Sequence, residues 1–248
     1  VVGDLVYVAN DSQAESTVVA VDRKTGKPHW QKPRESGNTA FATPCLLDPS
    51  ANDKLLLTVS TASGLTAFHA ADGKVAWECA KDVLTQRCVG SPVVAGGLVL
   101  VSSGQGGNGK TLAAIRPGKG DSQPEEAYRL QQSIPNVPTP VVAGDLLFLW
   151  HDRGVVACYD LATGHQNWRE RIGGDFHSSP LRIGNRIFCI SMTGDAIVLA
   201  ADRKFRELAR NPLKESCHAT PAIANDRLYV RTENSLMCIG EPPAAADN

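Results

Sequence analysis

The chain has 248 residues, and 25 Lys plus Arg stand against 26 Asp plus Glu, for a formal net charge of −1. That balance supplies no bulk field to draw nucleic acid or an anionic membrane. No apolar run approaches the ~18 residues of a spanning helix. A hydrophobic fraction of 42% and 22 glycines fit a turn-rich globular fold, large enough for one domain or two small ones.

The first predicted strand is "GDLVYVAN" (3–10), followed by a polar loop, "NDSQAES" (10–16). Next comes "AVDRKTGKPHW" (20–30), a strand, a turn at Gly26 and a second strand ending in Trp30. Gly26 supplies the positive φ of a tight turn. Pro28 cannot donate to a ladder, so its strand is expected at a sheet edge.

From there a repeat takes over. A Ser/Thr-Pro dipeptide opens five segments, at Pro44, Pro92, Pro140, Pro180 and Pro221, at intervals of 48, 48, 40 and 41 residues. Each is followed by a turn and a β-rich run: "KLLLTVS", "LVLVSSG", "LLFLWHD", "RIFCISM" and "RLYVRTE". The opening "GDLVYVAN" matches those runs, so the chain is expected to start partway through a unit. The Gly-to-Trp mark recurs in "AFHAADGKVAW" (67–77) and "CYDLATGHQNW" (158–168), through Gly73 with Trp77 and Gly164 with Trp168. It is lost in the third and fifth units. Helical periodicity is absent.

Units of 40–48 residues with about four short strands cannot bury both faces alone, whereas neighbours arranged about an axis can. The fold class expected is therefore all-β, a β-propeller of four-stranded antiparallel blades. Trp30, Trp77 and Trp168, with Gly26, Gly73 and Gly164, are the expected docking residues between blades. About six blades are present, four full and two partial, with units near 1–40, 41–88, 89–136, 137–176, 177–217 and 218–240. The end, 241–248, is expected as a disordered tail.

"SSGQGGNGKT" (102–111) fits both the P-loop and dinucleotide patterns, which need a helix after the loop. "TLAAIRPG" follows instead, one strand long. The glycines are read as an enlarged hairpin loop, without a nucleotide. The seven cysteines form no C-x-x-C. Cys158, Cys189 and Cys238 lie in apolar runs and are expected as buried thiols.

The pattern A-x-D-x-x-T-G-x-x-x-W, matched in full by "AVDRKTGKPHW", and the Ser/Thr-Pro openings resemble the PQQ-like repeats of quinoprotein-type propellers. The resemblance covers nearly the whole chain. It implies eight blades, of which this chain would be the C-terminal part, and a bacterial periplasmic or cell-envelope location. It also implies that loops between second and third strands share a face with the links between blades. On that face, three residues before the prolines, stand Phe41, Val89, Val137, His177 and His218. His177 and His218 are expected to approach each other. Arg231, Glu233 and Arg87 join them as candidate ligand-binding residues on the same rim. Two imidazoles there suit a ligand or metal, but capping of strand backbones is the reading favoured, and no metal site is expected.

Catalytic members carry an adjacent Cys pair and a carboxylate-rich calcium site, and this chain has no Cys-Cys dipeptide. No G-x-S-x-G hydrolase motif occurs either. The function expected is a non-catalytic scaffold that binds other proteins and needs no cofactor. The alternative is a quinoprotein dehydrogenase, with PQQ and calcium, or a small-ligand binder in the central funnel.

Overall fold

The computed structural model describes residues 1–35, 37–105, 108–118 and 122–240, and among these every regular element is a β-strand. The first sheet holds β1 (Leu5–Asn10), β2 (Ser16–Asp22) and β3 (Pro28–Arg34). The second holds β4 (Cys45–Leu46), β5 (Leu55–Ser60), β6 (Gly64–His69) and β7 (Val75–Cys79). The third holds β8 (Val93–Ala95), β9 (Leu98–Gln105), β10 (Asn108–Arg116) and β11 (Glu125–Leu130). The fourth is β12 (Val141–Ala143), β13 (Leu146–Trp150), β14 (Val155–Asp160) and β15 (Gln166–Arg171). The fifth is β16 (Leu181–Ile183), β17 (Arg186–Ile190), β18 (Asp195–Ala200) and β19 (Glu207–Pro212). The sixth is β20 (Ala222–Ala224), β21 (Arg227–Arg231) and β22 (Leu236–Ile239).

All six are antiparallel meanders, so each strand pairs with its neighbour in sequence. Pro28 sits in β3, at a sheet edge, where its missing N–H leaves no gap in a ladder. After Thr111 the glycine loop continues as strand β10 and no helix follows it among the described residues; Gly106 and Gly107 lie outside them. The segment 241–248 also lies outside the described residues.

The middle strands explain why the sequence is apolar without alternation. Every residue of β13, "LLFLW", is buried. Leu147 and Leu149 face the third sheet, packing with Leu98, Leu100 and Leu112. Phe148 and Trp150 face the fifth, packing with Ile187, Ile197 and Leu199. A sheet covered on both faces reads as a continuous hydrophobic run. The core is thus five seams rather than one centre. Val18 and Leu56 fill the first seam, Leu57 and Val99 the second, and Ile190 and Val230 the last.

Aromatic rings close the outer part of these seams. Trp30 donates its Nε1–H to the Ala70 carbonyl at 2.9 Å, and Trp168 donates to Asp202 O at 3.0 Å. The third sheet, whose sequence lost the Gly-to-Trp mark, uses Tyr128, whose hydroxyl donates to Leu161 O at 2.8 Å. Trp77 is half-buried against the second seam, and its buried Nε1 has no partner among the described residues. In the fifth sheet Ala209, paired with Val198 as Trp168 is with Cys158, replaces the ring altogether.

A register shift accompanies every one of these positions. It falls at Ala20/Val21, Ala67/Phe68, Ala114/Ile115, Cys158/Tyr159 and Val198/Leu199, one step beyond the pair holding the ring or its replacement. Such a bulge bends the strand and re-aims its side chains. The turn before it is held by Asp22, whose Oδ1 accepts from the Thr25 N–H (2.7 Å) and hydroxyl (2.8 Å). Asp160 does the same for Thr163. These hydrogen bonds, led by the threonine hydroxyl, hold both carboxyls below the usual range.

The first sheet also contributes a buried ion pair. Arg34, 2% exposed, donates to both oxygens of Asp11, 6% exposed, at 2.7 and 2.9 Å. Its other amino group donates to Ser60 Oγ in the second sheet. Burial pushes the Asp11 carboxyl up and the Arg34 guanidinium down, against their mutual attraction.

Seven thiols are free, and Cys88, Cys158, Cys189 and Cys217 are buried. Cys238, expected to be buried, is exposed. It lies on β22, where Leu236 and Ile239 are also exposed, because no sheet packs beyond it among the described residues. No hydrogen bond, ion pair or apolar cluster joins the first sheet to the sixth among the described residues.

Gly73 separates two demands on a turn glycine. Its φ is +70°, and a Cβ there would lie 2.6 Å from the Trp30 ring; at Gly26, φ is +71° but the space is open. Gly26→Ala should therefore lose only the left-handed strain, about 1–2 kcal/mol. Gly73→Ala should lose clearly more, read as a larger fall in the urea midpoint. Equal losses at the two sites would show that the ring does not bear on the turn.

Candidate functional site

The Ser/Thr before each proline has a structural role. The Thr43 N–H donates to Ser91 Oγ at 3.0 Å, Ser91 N–H to Thr139 Oγ1 at 3.1 Å, Thr139 N–H to Ser179 Oγ at 2.9 Å, and Ser179 N–H to Thr220 Oγ1 at 2.8 Å. Each innermost strand is thereby tied to the next through one hydroxyl. Proline after that residue has no N–H to leave unpaired and holds its predecessor extended.

The links before these dipeptides meet the loops between second and third strands. Gly104 N–H donates to Arg87 O, Phe176 N–H to Asp152 O, Met192 N–H to Asp175 O, and Glu233 N–H to Ser216 O. Carboxylates add to the belt. Asp152 accepts from the N–H groups of Asn136 (2.7 Å) and Val137 (3.0 Å). Glu215 accepts from the hydroxyls of Thr232 (2.6 Å) and Ser235 (3.0 Å) and from Asn234 N–H (3.3 Å). The Thr232 and Ser235 bonds hold the Glu215 carboxyl below its usual range.

On this pinned face the structure brings two of the candidate residues into contact. His177 and His218, equivalent positions of adjacent sheets, stand Nδ1 to Nδ1 at 3.2 Å, with ring centroids 5.2 Å apart and planes inclined at 49°. Neither ring caps a strand: among the described residues no backbone group bonds to either. Capping was the sequence expectation, and it gives way because the links are themselves satisfied by backbone bonds.

His218, Arg231 and Glu233 line an open pocket of about 410 Å³ with Ser216, Ala219 and Thr232. Glu233 Oε2 accepts from Ser216 Oγ at 2.8 Å. Arg87 stands apart, exposed on the link into the third sheet, where its carbonyl accepts from Gly104 N–H. Phe41, in the first link, is 61% exposed. Trp30, Trp77 and Trp168 lie in the seams; the turn at Gly73 abuts the Trp30 ring and that at Gly164 the Tyr128 ring, while the turn at Gly26 faces open space. Sequence reading missed Tyr128, Glu215 and the serine–threonine ladder. The Ser/Thr-Pro recurrence signalled the ladder's positions, and an aromatic at the bulge spacing would have found Tyr128.

Four-stranded meanders packed face to face, with docked rings and a belt of links and loops, define a β-propeller of PQQ-like repeats. Residues 1–205 match the family described as "Outer membrane protein assembly factor BamB", and the chain belongs to that family. Among curated relatives, the BamB protein of Yersinia pestis is 24% identical over 239 residues, 92% of this chain and 56% of its own. That of Burkholderia pseudomallei (strain K96243) is 30% identical over 94 residues, 38% of this chain and 24% of its own. The chain spans about half the length of the first of these, or less of the second.

Solved structures show the same fold. BamB from Moraxella catarrhalis superposes with a TM-score of 0.73 at 18% identity, over 100% of this chain and 70% of its own. A europium-containing methanol dehydrogenase gives 0.68 at 14% identity, over 96% and 61%. Saccharomyces cerevisiae Sqt1 gives 0.72 at 12% identity, over 95% and 68%.

Glu215 carries a pH prediction for this face. A carboxyl whose folded pKa lies below its unfolded value contributes stability above the unfolded value, about 4.3. That contribution is lost as pH falls through the folded value. Thermal melting followed from neutral pH into acid should fall more steeply for the native chain than for Glu215→Gln, which starts lower. Parallel curves would show that the carboxylate does not hold the last loop.

Proposed function

We propose that this chain is a non-catalytic scaffold of the cell envelope that binds other proteins during the assembly of outer membrane proteins. The observation that carries this reading is the kinship with the BamB family over residues 1–205. The chain is a periplasmic or cell-envelope protein by that family. The fold supports the role physically. Its loops and links are fixed to one another by backbone bonds, so the exposed side chains of Phe41, Arg87, Arg231 and Glu233 sit on a rigid surface. A surface already ordered loses little conformational freedom when a partner docks.

The likeness to a methanol dehydrogenase raises the alternative of PQQ with calcium in the funnel, and the donor set here does not fit it. The seven cysteines are isolated in sequence, and the described residues contain no cluster of three or more metal-ligating side chains. A calcium ion asks for 6–8 oxygen ligands, typically rich in carboxylates.

Two measurements test the proposal together. The protein, purified from its own host under mild conditions, should retain components of the machinery that assembles outer membrane proteins, and Phe41→Asp should release them without lowering the melting temperature. Titration with PQQ and calcium should give no saturable change in the visible spectrum. A stoichiometric PQQ signal, or equal recovery of partners by the native chain and by an unfolded control, would overturn the scaffold reading.

A further inference from the structure

The two facing imidazoles on the link-and-loop face are used by neither the fold nor the scaffold reading. Ordinary polar neighbours do not account for them. Both rings are exposed, neither bonds to backbone among the described residues, and their Nδ1 atoms point at each other at 3.2 Å. Two imidazole nitrogens held about 2.0–2.1 Å from one tetrahedral ion stand about 3.3 Å apart. The observed spacing is therefore that of two ligands already placed in one coordination shell.

We propose that His177 and His218 bind a single divalent transition-metal ion, of the zinc, nickel and copper class, through their Nδ1 atoms. Imidazole suits these ions, whereas magnesium and calcium prefer oxygen. The backbone on each side is fixed before the ion arrives. Phe176 N–H is bonded to Asp152 O at 2.7 Å and Cys217 N–H to Met192 O at 3.1 Å. Two residues further on, Ser179 N–H is tied to Thr220 Oγ1 at 2.8 Å. The two links thus cannot separate without breaking the ladder.

Without metal, one ring donates its Nδ1–H to the other's Nδ1. Ligation needs both lone pairs, so the donating ring carries its proton on Nε2 instead, and the charge of each neutral ring is unchanged. Water completes the shell, because no third metal-ligating side chain clusters with the pair among the described residues. Glu233, in the pocket beside His218, adds negative potential, and Arg231 in the same pocket opposes it. The site is consequently open and exchangeable, unlike a closed structural zinc site. It sits between the fifth and sixth sheets, so an occupied site ties the last sheet to the body of the propeller.

Calorimetric titration of the full chain with Zn²⁺ alone tests this. One saturable ion per chain is expected, with a rise in melting temperature. His177→Ala and His218→Ala should each weaken binding by more than the about 10–100-fold that loss of an outer-shell partner causes. His165→Ala and Cys238→Ser, on other exposed positions, should bind as the native chain does. His177→Gln, which keeps a polar side chain of similar reach, provides a second variant, and the metal-free melting temperature checks that each variant is folded. Absence of saturable uptake by the native chain, or undiminished uptake by a folded chain carrying both His177→Ala and His218→Ala, would overturn the proposal. The scaffold function stands or falls separately, on partner recovery.

Discussion

Burial of each inner sheet on both faces is the constraint on which the rest of this structure depends. A four-stranded meander here is too apolar to face water and too thin to contain a core. Trp150, Phe148, Leu147 and Leu149 are adjacent on one strand and buried against two different sheets. Stability is consequently a property of seams, and every other device serves to set the seams: the bulge that re-aims the fourth strand, the ring above it, and the hydroxyl ladder that fixes the innermost strands.

The seams are not equal. Those between the first and second, third and fourth, and fourth and fifth sheets each carry an aromatic ring with its polar atom satisfied by a carbonyl of the next sheet. Between the second and third, the ring is Trp77, whose indole nitrogen, like that of Trp150 in the fourth sheet, has no partner among the described residues, a desolvation penalty without return. Between the fifth and sixth, an alanine stands where the ring would be. The last sheet is accordingly held by a smaller apolar cluster and by the Glu215 hydrogen bonds, and its outer residues remain exposed. A metal bridge between His177 and His218 would reinforce the seam that packing leaves weakest.

The architecture was legible in the sequence because its periodic marks have mechanical causes. Ser/Thr-Pro recurs since the hydroxyls of Ser91, Thr139, Ser179 and Thr220 each receive the previous link's N–H. Asp, Thr and Gly recur since they build one turn, and the continuous apolar runs recur since both faces are covered. Where a different residue met the same demand, legibility failed. Tyr128 replaces tryptophan on β11, in a unit whose sequence lacks the Asp-Thr-Gly turn pattern, so spacing from a glycine gave no guide to it. Cys238 looked buried because "SLMCIG" is apolar, yet burial depends on a neighbouring sheet, which local composition does not report. The approach of His177 to His218 followed from their equivalent repeat positions. What the rings do once together did not, because it depends on backbone partners that only the folded links reveal. Asp11 and Arg34, far apart in sequence and outside the repeat pattern, gave no sign of pairing.

The central claim is that packing between sheets, not pairing within them, holds the molecule together. Hydrogen exchange followed by mass spectrometry on Trp168→Ala tests it most directly. The account predicts that protection falls in both the fourth and fifth sheets, β12–β15 and β16–β19, while the first sheet keeps its native rate. Loss of protection confined to β14 and β15, the strands that pair beside the substituted ring, would contradict it.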